Sequence, residues 1–315
     1  MNMKGNQEKK EVIVPVIVPL DADLGLDKEG VSRIFSYLYA SGATPFILGT
    51  TGEAASLSYE LKRQYIKEAA INIPAGEKLY VGILSNTLEE SILLANWAFE
   101  NGVQQVAATL PNYYKLNEQQ MEGYFTELAE KISPELILYN IPATTGMSIP
   151  IDLIDKLSRN PKIVAVKDSE RDIERVDRSL ELWRDRADFK HYMGWSGGSA
   201  HSLIQGSAGI IPSTGNFAPA LYKEMCEAVE QGDDETVLSL QKVSDELGRV
   251  YQSDKLLGES LWALKVIMRE LGLCQANMMP PLYPLGEEEA EKVLASFKET
   301  VRKSNLKLNL ISHAQ

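Results

Sequence analysis

The chain has 315 residues, 44% of them hydrophobic and 24% charged, with a formal net charge of −12. That is enough apolar material for one large α/β barrel or for two ordinary domains, and too much for a disordered chain. The acidic balance argues against a nucleic-acid partner, because binding phosphates draws on a basic excess or stripe and none is visible.

The opening segment, MNMKGNQEKKE, is polar and lacks the apolar stretch of a signal peptide. No apolar run reaches the roughly 20 residues that cross a bilayer, so no membrane partner is expected. Cys226 and Cys274 are too few and too far apart for a disulfide framework or a zinc site. A reduced, cytoplasmic protein is the expectation.

After a polar tail (1–11), short β-rich runs alternate with longer amphipathic ones. The predicted strands cover 12–18, 45–48, 79–84, 105–110, 136–140, 163–167, 189–194 and 209–212. Asp27 stands before the helical stretch KEGVSRIFSYLYASG, and Thr87 and Glu90 have capping-box spacing ahead of ILLANWAFENG. Ser148 and Pro150 open a helix through IDLIDKLSR. Gly42 and Gly102 stand where helices should end. The strand ends recur at the spacing of βαβ units, and eight in succession predict a (β/α)8 TIM barrel over 12–231. A doubly wound nucleotide-binding sheet would carry a glycine fingerprint after its first strand, where this chain has PLDADLGLD. Beyond Pro219 the strand signals stop. Helices are expected over 220–230, 234–251, 260–271 and 287–303, so that 232–315 forms a C-terminal helical extension.

Barrel active sites form at the C-terminal ends of the strands. After the second strand stands Gly49-Thr50-Thr51-Gly52-Glu53. Two hydroxyls and the backbone N–H groups of a glycine-flanked turn suit a carboxylate, although the same turn also fits a plain helix cap. The fifth strand ends in Tyr139, whose phenol can pass a proton to a reacting oxygen or simply pack in the core. The sixth strand, IVAVK, ends in Lys167. Burial there disfavours the ammonium, and attack on a ketone requires a neutral amine; a lysine that has passed into solvent is the other reading. Together the three positions supply what is needed to hold a 2-keto acid, form an imine and move protons.

These residues carry a resemblance. GTTGE at 49–53, YNIP followed by TG at 139–146, and VKDS at 166–169 are similar to the motifs of the dihydrodipicolinate synthase / N-acetylneuraminate lyase family of class I pyruvate aldolases. The likeness runs from the first strand through PPLYPL. It implies a Schiff base on Lys167, a proton relay through Tyr139 and carboxylate binding by Thr50 and Thr51. It implies that a tyrosine after strand four reaches a neighbouring subunit's site. In PNYYKLN the spacing from Pro111 matches Tyr113 best, with Tyr114 next. It sets the strand-eight backbone near Ile211 against the pyruvate. A homotetramer built as a dimer of dimers is expected with it.

Departures from the family pattern bear on the reaction. Dihydrodipicolinate synthases normally carry an arginine where this chain has Thr144. PATTG with KDS is closer to 2-keto-3-deoxy sugar acid and 4-hydroxy-2-oxoglutarate aldolases, which makes Thr144, Ser169 and Ser196 candidates for contacting substrate hydroxyls. The expected activity is therefore a lysine Schiff-base aldolase or lyase acting between a 2-keto acid, pyruvate and an aldehyde. A 4-hydroxy-tetrahydrodipicolinate (dihydrodipicolinate) synthase and a sugar-acid dehydratase are the alternatives on the same lysine and tyrosine. Outside the enzymes, a 2-keto acid or phosphate-binding barrel fits.

No cofactor and no metal are expected. His191, His201 and His313 are scattered without metal-ligand spacing, and the protonated imine itself serves as electron sink. The glycine-rich GWSGGSAHS at 194–202 is expected to be a tight loop lining the pocket. The acidic runs at 233–235 and 287–289 read as charges at helix N-termini.

Overall fold

Strand alternation builds the barrel. In β1 (Glu11–Pro15), Val12 and Val14 face the surrounding helices while Ile13 faces inward. The computed structural model describes residues 9–304 and 306. In it β1 pairs in parallel with β2 (Thr44–Ile47), and the ladder continues through β3 (Tyr80–Gly82), β4 (Gln105–Ala108), β5 (Glu135–Asn140), β6 (Ile163–Asp168), β7 (Lys190–Met193) and β8 (Gly209–Ile210) back to β1. The closed sheet is the expected (β/α)8 barrel. Its interior is filled by Ile13, Phe46, Tyr80, Ala107, Ile137, Ala165, Tyr192 and Ile211, so the barrel is a packed core whose chemistry belongs at the rim.

The helices are α1 (Lys28–Ala40), α2 (Tyr59–Ile71), α3 (Leu88–Glu100), α4 (Glu118–Lys131), α5 (Pro142–Thr145), α6 (Ile151–Leu157), α7 (Ile173–Trp183), α8 (Ser199–Ile204), α9 (Pro219–Gln231), α10 (Asp234–Gln252), α11 (Leu257–Glu270) and α12 (Glu287–Ser304). Asp27 caps α1 by accepting from Gly30 N, and Gly42 follows that helix with φ +71°, a conformation that glycine adopts without strain. The last four helices pack on one another, and α10 also touches the turns after β7 and β8. Asp234 and Glu235 stand in the first turn of α10, and Glu287, Glu288 and Glu289 in that of α12.

Several boundaries differ from the sequence reading. Glu11, assigned to the polar tail, pairs with Gly209 and begins β1. That strand stops at Pro15, because proline offers no N–H to the ladder, although Val16 N still reaches Phe46 O at 2.9 Å. The capping box before α3 is half formed. Thr87 accepts from Glu90 N, but the Glu90 carboxylate turns to Lys62 Nζ at 2.9 Å. Ser148 does not cap α6; its hydroxyl donates to Glu170. Segment 194–202 is no simple loop: it winds through a 3₁₀ turn at Ser196–Gly198 into α8. PATT forms the one-turn α5.

A single irregularity sets up the site. Along β5 and β6 the pairs run Leu136↔Ile163, then Ile137↔Ala165 through Tyr139↔Lys167, so Val164 is an extra residue. Ile163 faces the helices, and strict alternation from it would turn Lys167 outward. The bulge shifts the phase so that Ala165 faces the barrel interior and, two residues on, Lys167 faces its mouth.

Candidate active site

Lys167 and Tyr139 are register partners on neighbouring strands, each 3% exposed. Lys167 Nζ lies 3.9 Å from the centroid of the Tyr139 ring and 4.7 Å from that of Phe46. Burial pushes the Lys167 ammonium below its ordinary value, with the neighbouring Tyr139 hydroxyl pulling the other way. The Tyr139 hydroxyl is 3.2 Å from Thr50 Oγ1. An amine, a phenol and a threonine hydroxyl thus form one chain leading away from the lysine.

The residues after each strand are held from outside. Asn140 and Asp168 follow Tyr139 and Lys167 and face away from the barrel interior. Asn140 Nδ2 donates to Asp168 Oδ1 at 2.9 Å and to Glu170 Oε2 at 2.9 Å, and Arg175 Nε meets Asp168 Oδ2 at 2.7 Å. This polar clamp ties the ends of β5 and β6 together, so Lys167 and Tyr139 have little room to drift. Gly194 closes the other flank. Its N–H donates to Asp168 O at 2.6 Å, and a Cβ there would run into Ser169 Oγ and come within 3.2 Å of Lys167 Cε.

The GTTGE turn is strained on both sides. Leu48 and Glu53 have φ of +56° and +54°, a conformation that costs energy in residues with a side chain. A Cβ on Gly52 would lie 2.9 Å from Val16 O. A buried ion pair holds the turn. Glu53 Oε1 and Lys265 Nζ are 2.5 Å apart and both side chains are fully buried. Glu53 Oε2 accepts from Met279 N at 2.8 Å, and Lys265 Nζ donates to Asn277 O at 2.6 Å. Helix α11 and the segment after it therefore grip the turn that carries Thr50 and Thr51.

A cavity of about 620 Å³ opens over Lys167. The structure brings together around it Tyr139, Thr50, Thr51, Thr144, Ser169, Ser196 and Ile211. Tyr113 is not among its lining residues. It is 79% exposed, beside Tyr114 at 74%, their rings edge to face at 4.9 Å. A second cavity of about 530 Å³ adjoins the first, sharing Thr50 and Thr144 but not reaching Lys167.

A family model described as the dihydrodipicolinate synthetase family matches residues 8–300. The chain belongs to this family. It is a lyase of the class I aldolase type. The 4-hydroxy-tetrahydrodipicolinate synthase of Alcanivorax borkumensis is 28% identical over 295 residues, covering 93% of this chain and 97% of that relative. The dihydrodipicolinate synthase structure from Bacteroides thetaiotaomicron superimposes with a TM-score of 0.88 at 27% identity, over 94% of this chain and 100% of that one. That of Acinetobacter baumannii, solved with pyruvate, gives 0.83 at 26% identity over 92% of this chain and 98% of its own.

Within this dihydrodipicolinate synthetase family member, the histidines hold other posts. His191 is buried beside Ser207 Oγ at 3.2 Å, and burial lowers its pKa to about 4. His201 Nε2 meets Asp177 at 2.6 Å, and His313 lies outside the described residues. Among the described residues no three or more His, Cys, Asp and Glu side chains gather as a metal site, and no helix is long and apolar enough to cross a membrane. Sequence reasoning missed Glu53 with Lys265, the Asn140–Asp168–Arg175 clamp and Gly194. A lone lysine inside LWALKVIM was a visible sign for Lys265, since a helix apolar on all sides is a buried one.

Proposed function

We propose that this protein joins or cleaves pyruvate and an aldehyde through a Schiff base on Lys167. The observation that carries the reading is the buried Lys167 amine, lowered in basicity and set against Tyr139 with Thr50 next in the chain. A neutral amine is the nucleophile a ketone requires, and a lowered basicity favours that form. Thr50 and Thr51 hold the keto acid's carboxylate, and Ile211 lies against it. Lys167 Nζ adds to C2, and the resulting carbinolamine expels its oxygen as water to give the iminium ion. Loss of a proton from C3 leaves an enamine. In the forward direction its carbon bonds to the aldehyde carbon, and the aldehyde oxygen takes up a proton. Water then adds back at C2 and releases Lys167 as the amine, so the water lost in the first half is consumed in the second. Tyr139 passes the protons between these oxygens.

Two readings of the aldehyde half have support. The relatives' shared name favours a 4-hydroxy-tetrahydrodipicolinate synthase, and the comparisons back that reading better. Thr144 and the hydroxyls of Ser169 and Ser196 on the cavity wall favour a 2-keto-3-deoxy sugar acid or 4-hydroxy-2-oxoglutarate aldolase. We also propose a homotetramer in the cytoplasm, with Tyr113 completing a neighbour's site. Its support is two large aromatic rings left exposed beside each other.

Borohydride reduction in the presence of pyruvate tests the core of this reading. The wild-type protein gains a covalent pyruvate adduct on the peptide that contains Lys167, and Lys167→Ala gains none. An adduct that persists undiminished in the variant would sink the mechanism.

A further inference from the structure

Helix α8 begins without a cap of its own. A helix leaves its first N–H groups unpaired, and a side-chain oxygen just before it usually accepts from one of them. Here that position is Gly198, which has no side chain to offer. Bulk explains the glycine. A Cβ on Gly198 would lie 2.9 Å from the Trp195 ring, and one on Gly197 would lie 2.8 Å from Trp195 Nε1. The turn after β7 therefore lacks a capping side chain so that the indole can lie across it. Trp195 and Ser196 both line the cavity over Lys167.

The missing cap comes from α10. Gln241 Oε1 accepts from Ala200 N at 2.9 Å. Its Nε2 donates to Ser196 O at 3.0 Å and to Asp245 Oδ1 at 2.8 Å. Only one orientation of the amide serves all three, because reversing it would set its oxygen against the Ser196 carbonyl and the Asp245 carboxylate. Gln241 is buried, and an amide there with its oxygen and both hydrogens engaged is a rigid bracket. It stands behind the wall, since Ser244 and Asp245 line the cavity and Gln241 does not. The turn has another anchor, Gly194 N on Asp168 O at 2.6 Å, but this lies two residues before Ser196. The Ser196 carbonyl is left to Gln241 and to Ser199 N within the turn.

We propose that Gln241 is a positioning residue that sets the Ser196 hydroxyl against a hydroxyl on the aldehyde half of the substrate. The inference rests on the Schiff-base reading with Ser196 on the aldehyde side, and it deepens that reading: preference for hydroxylated aldehydes is set from a helix that follows the eight strands. Gln241 has no part in imine formation, so its variants separate the two halves of the reaction.

The test compares glyceraldehyde with propanal, three-carbon aldehydes with and without hydroxyls, with pyruvate as co-substrate. Gln241→Met keeps the length of the side chain and removes all three hydrogen bonds. Gln241→Glu keeps an acceptor for Ala200 N and removes the donor to Ser196 O, which covers the case of a Met variant that fails to fold. In both, the kcat/KM ratio of glyceraldehyde to propanal falls by roughly two- to tenfold, the contribution of one hydrogen bond, through a higher KM for glyceraldehyde. The fall is the readout and not the ratio itself, because an α-hydroxyl also alters the reactivity of the carbonyl. Borohydride trapping of pyruvate keeps its wild-type rate. Added to Ser196→Ala, Gln241→Met lowers the ratio no further, since the hydroxyl it would place is gone. Hydrogen exchange read by mass spectrometry speeds up in the peptide that holds Ala200 and not in the strands. Equal losses for both aldehydes, an unchanged ratio, or a loss that adds in full to that of Ser196→Ala overturns the role. If wild-type protein traps pyruvate and the variants show no such fall, only the role of Gln241 is lost. Protein that traps no pyruvate loses the lyase reading and this one with it.

Discussion

Removing one partner of the Glu53–Lys265 pair leaves a charge with no solvent to turn to, since both side chains are fully buried. Breaking such a pair costs about 3–5 kcal/mol, whereas removing both charges together costs far less. Lys265→Met keeps the length of the lysine stem but strands the Glu53 carboxylate, with only Met279 N still donating to it. Glu53→Gln keeps an acceptor for Met279 N and strands the Lys265 ammonium, with only Asn277 O as partner. Each single variant should therefore lose about 3–5 kcal/mol in urea unfolding followed by tryptophan fluorescence. The double variant should come back to within about 2 kcal/mol of wild type, and the non-additivity measures the coupling. Function should follow. The turn carrying Thr50 and Thr51 loosens while Lys167 stays in place, so KM for pyruvate rises more than kcat falls in the double variant. A Lys265→Met protein within about 1 kcal/mol of wild type, or strictly additive losses, would refute the reasoning.

Three other outcomes follow from the geometry. Only the neutral amine attacks, and burial lowers the Lys167 pKa. The rate of pyruvate trapping should thus rise with pH and level off well below the ordinary lysine value of 10.5; a rate still climbing at that pH would contradict the burial argument. Gly194→Ala places a Cβ against Ser169 Oγ and 3.2 Å from Lys167 Cε. Displacing the lysine by a fraction of an ångström should slow trapping by roughly tenfold or more, and unchanged trapping would show that the flank can give way. Tyr113→Phe should lower turnover by roughly tenfold or more without dissociating the oligomer in sedimentation, because it loses only a hydroxyl; an active monomer would show that no neighbour is needed.

Much of the architecture was legible in the chain. Alternation in the strands and capping at Asp27 act between residues a few positions apart, so their pattern is written locally. The three motifs that end at Glu53, Gly146 and Ser169 named the rim residues, because a barrel sends every strand end to one face. Boundaries failed where a side chain found a better partner across space. Glu90 left its own helix for Lys62, and Ser148 left α6 for Glu170.

By itself the sequence determined an eightfold alternation, a helical end and a lysine, a tyrosine and a pair of threonines at strand ends. Tertiary structure decided which way the lysine looks. The extra residue at Val164 shifts the phase of β6 against β5, and a bulge of one residue leaves no mark in composition or period. It also decided that Glu53 meets Lys265, and that Asn140 meets Asp168. Those encounters join residues far apart in the chain, and their energy exists only once the barrel has closed and water has been driven out between them.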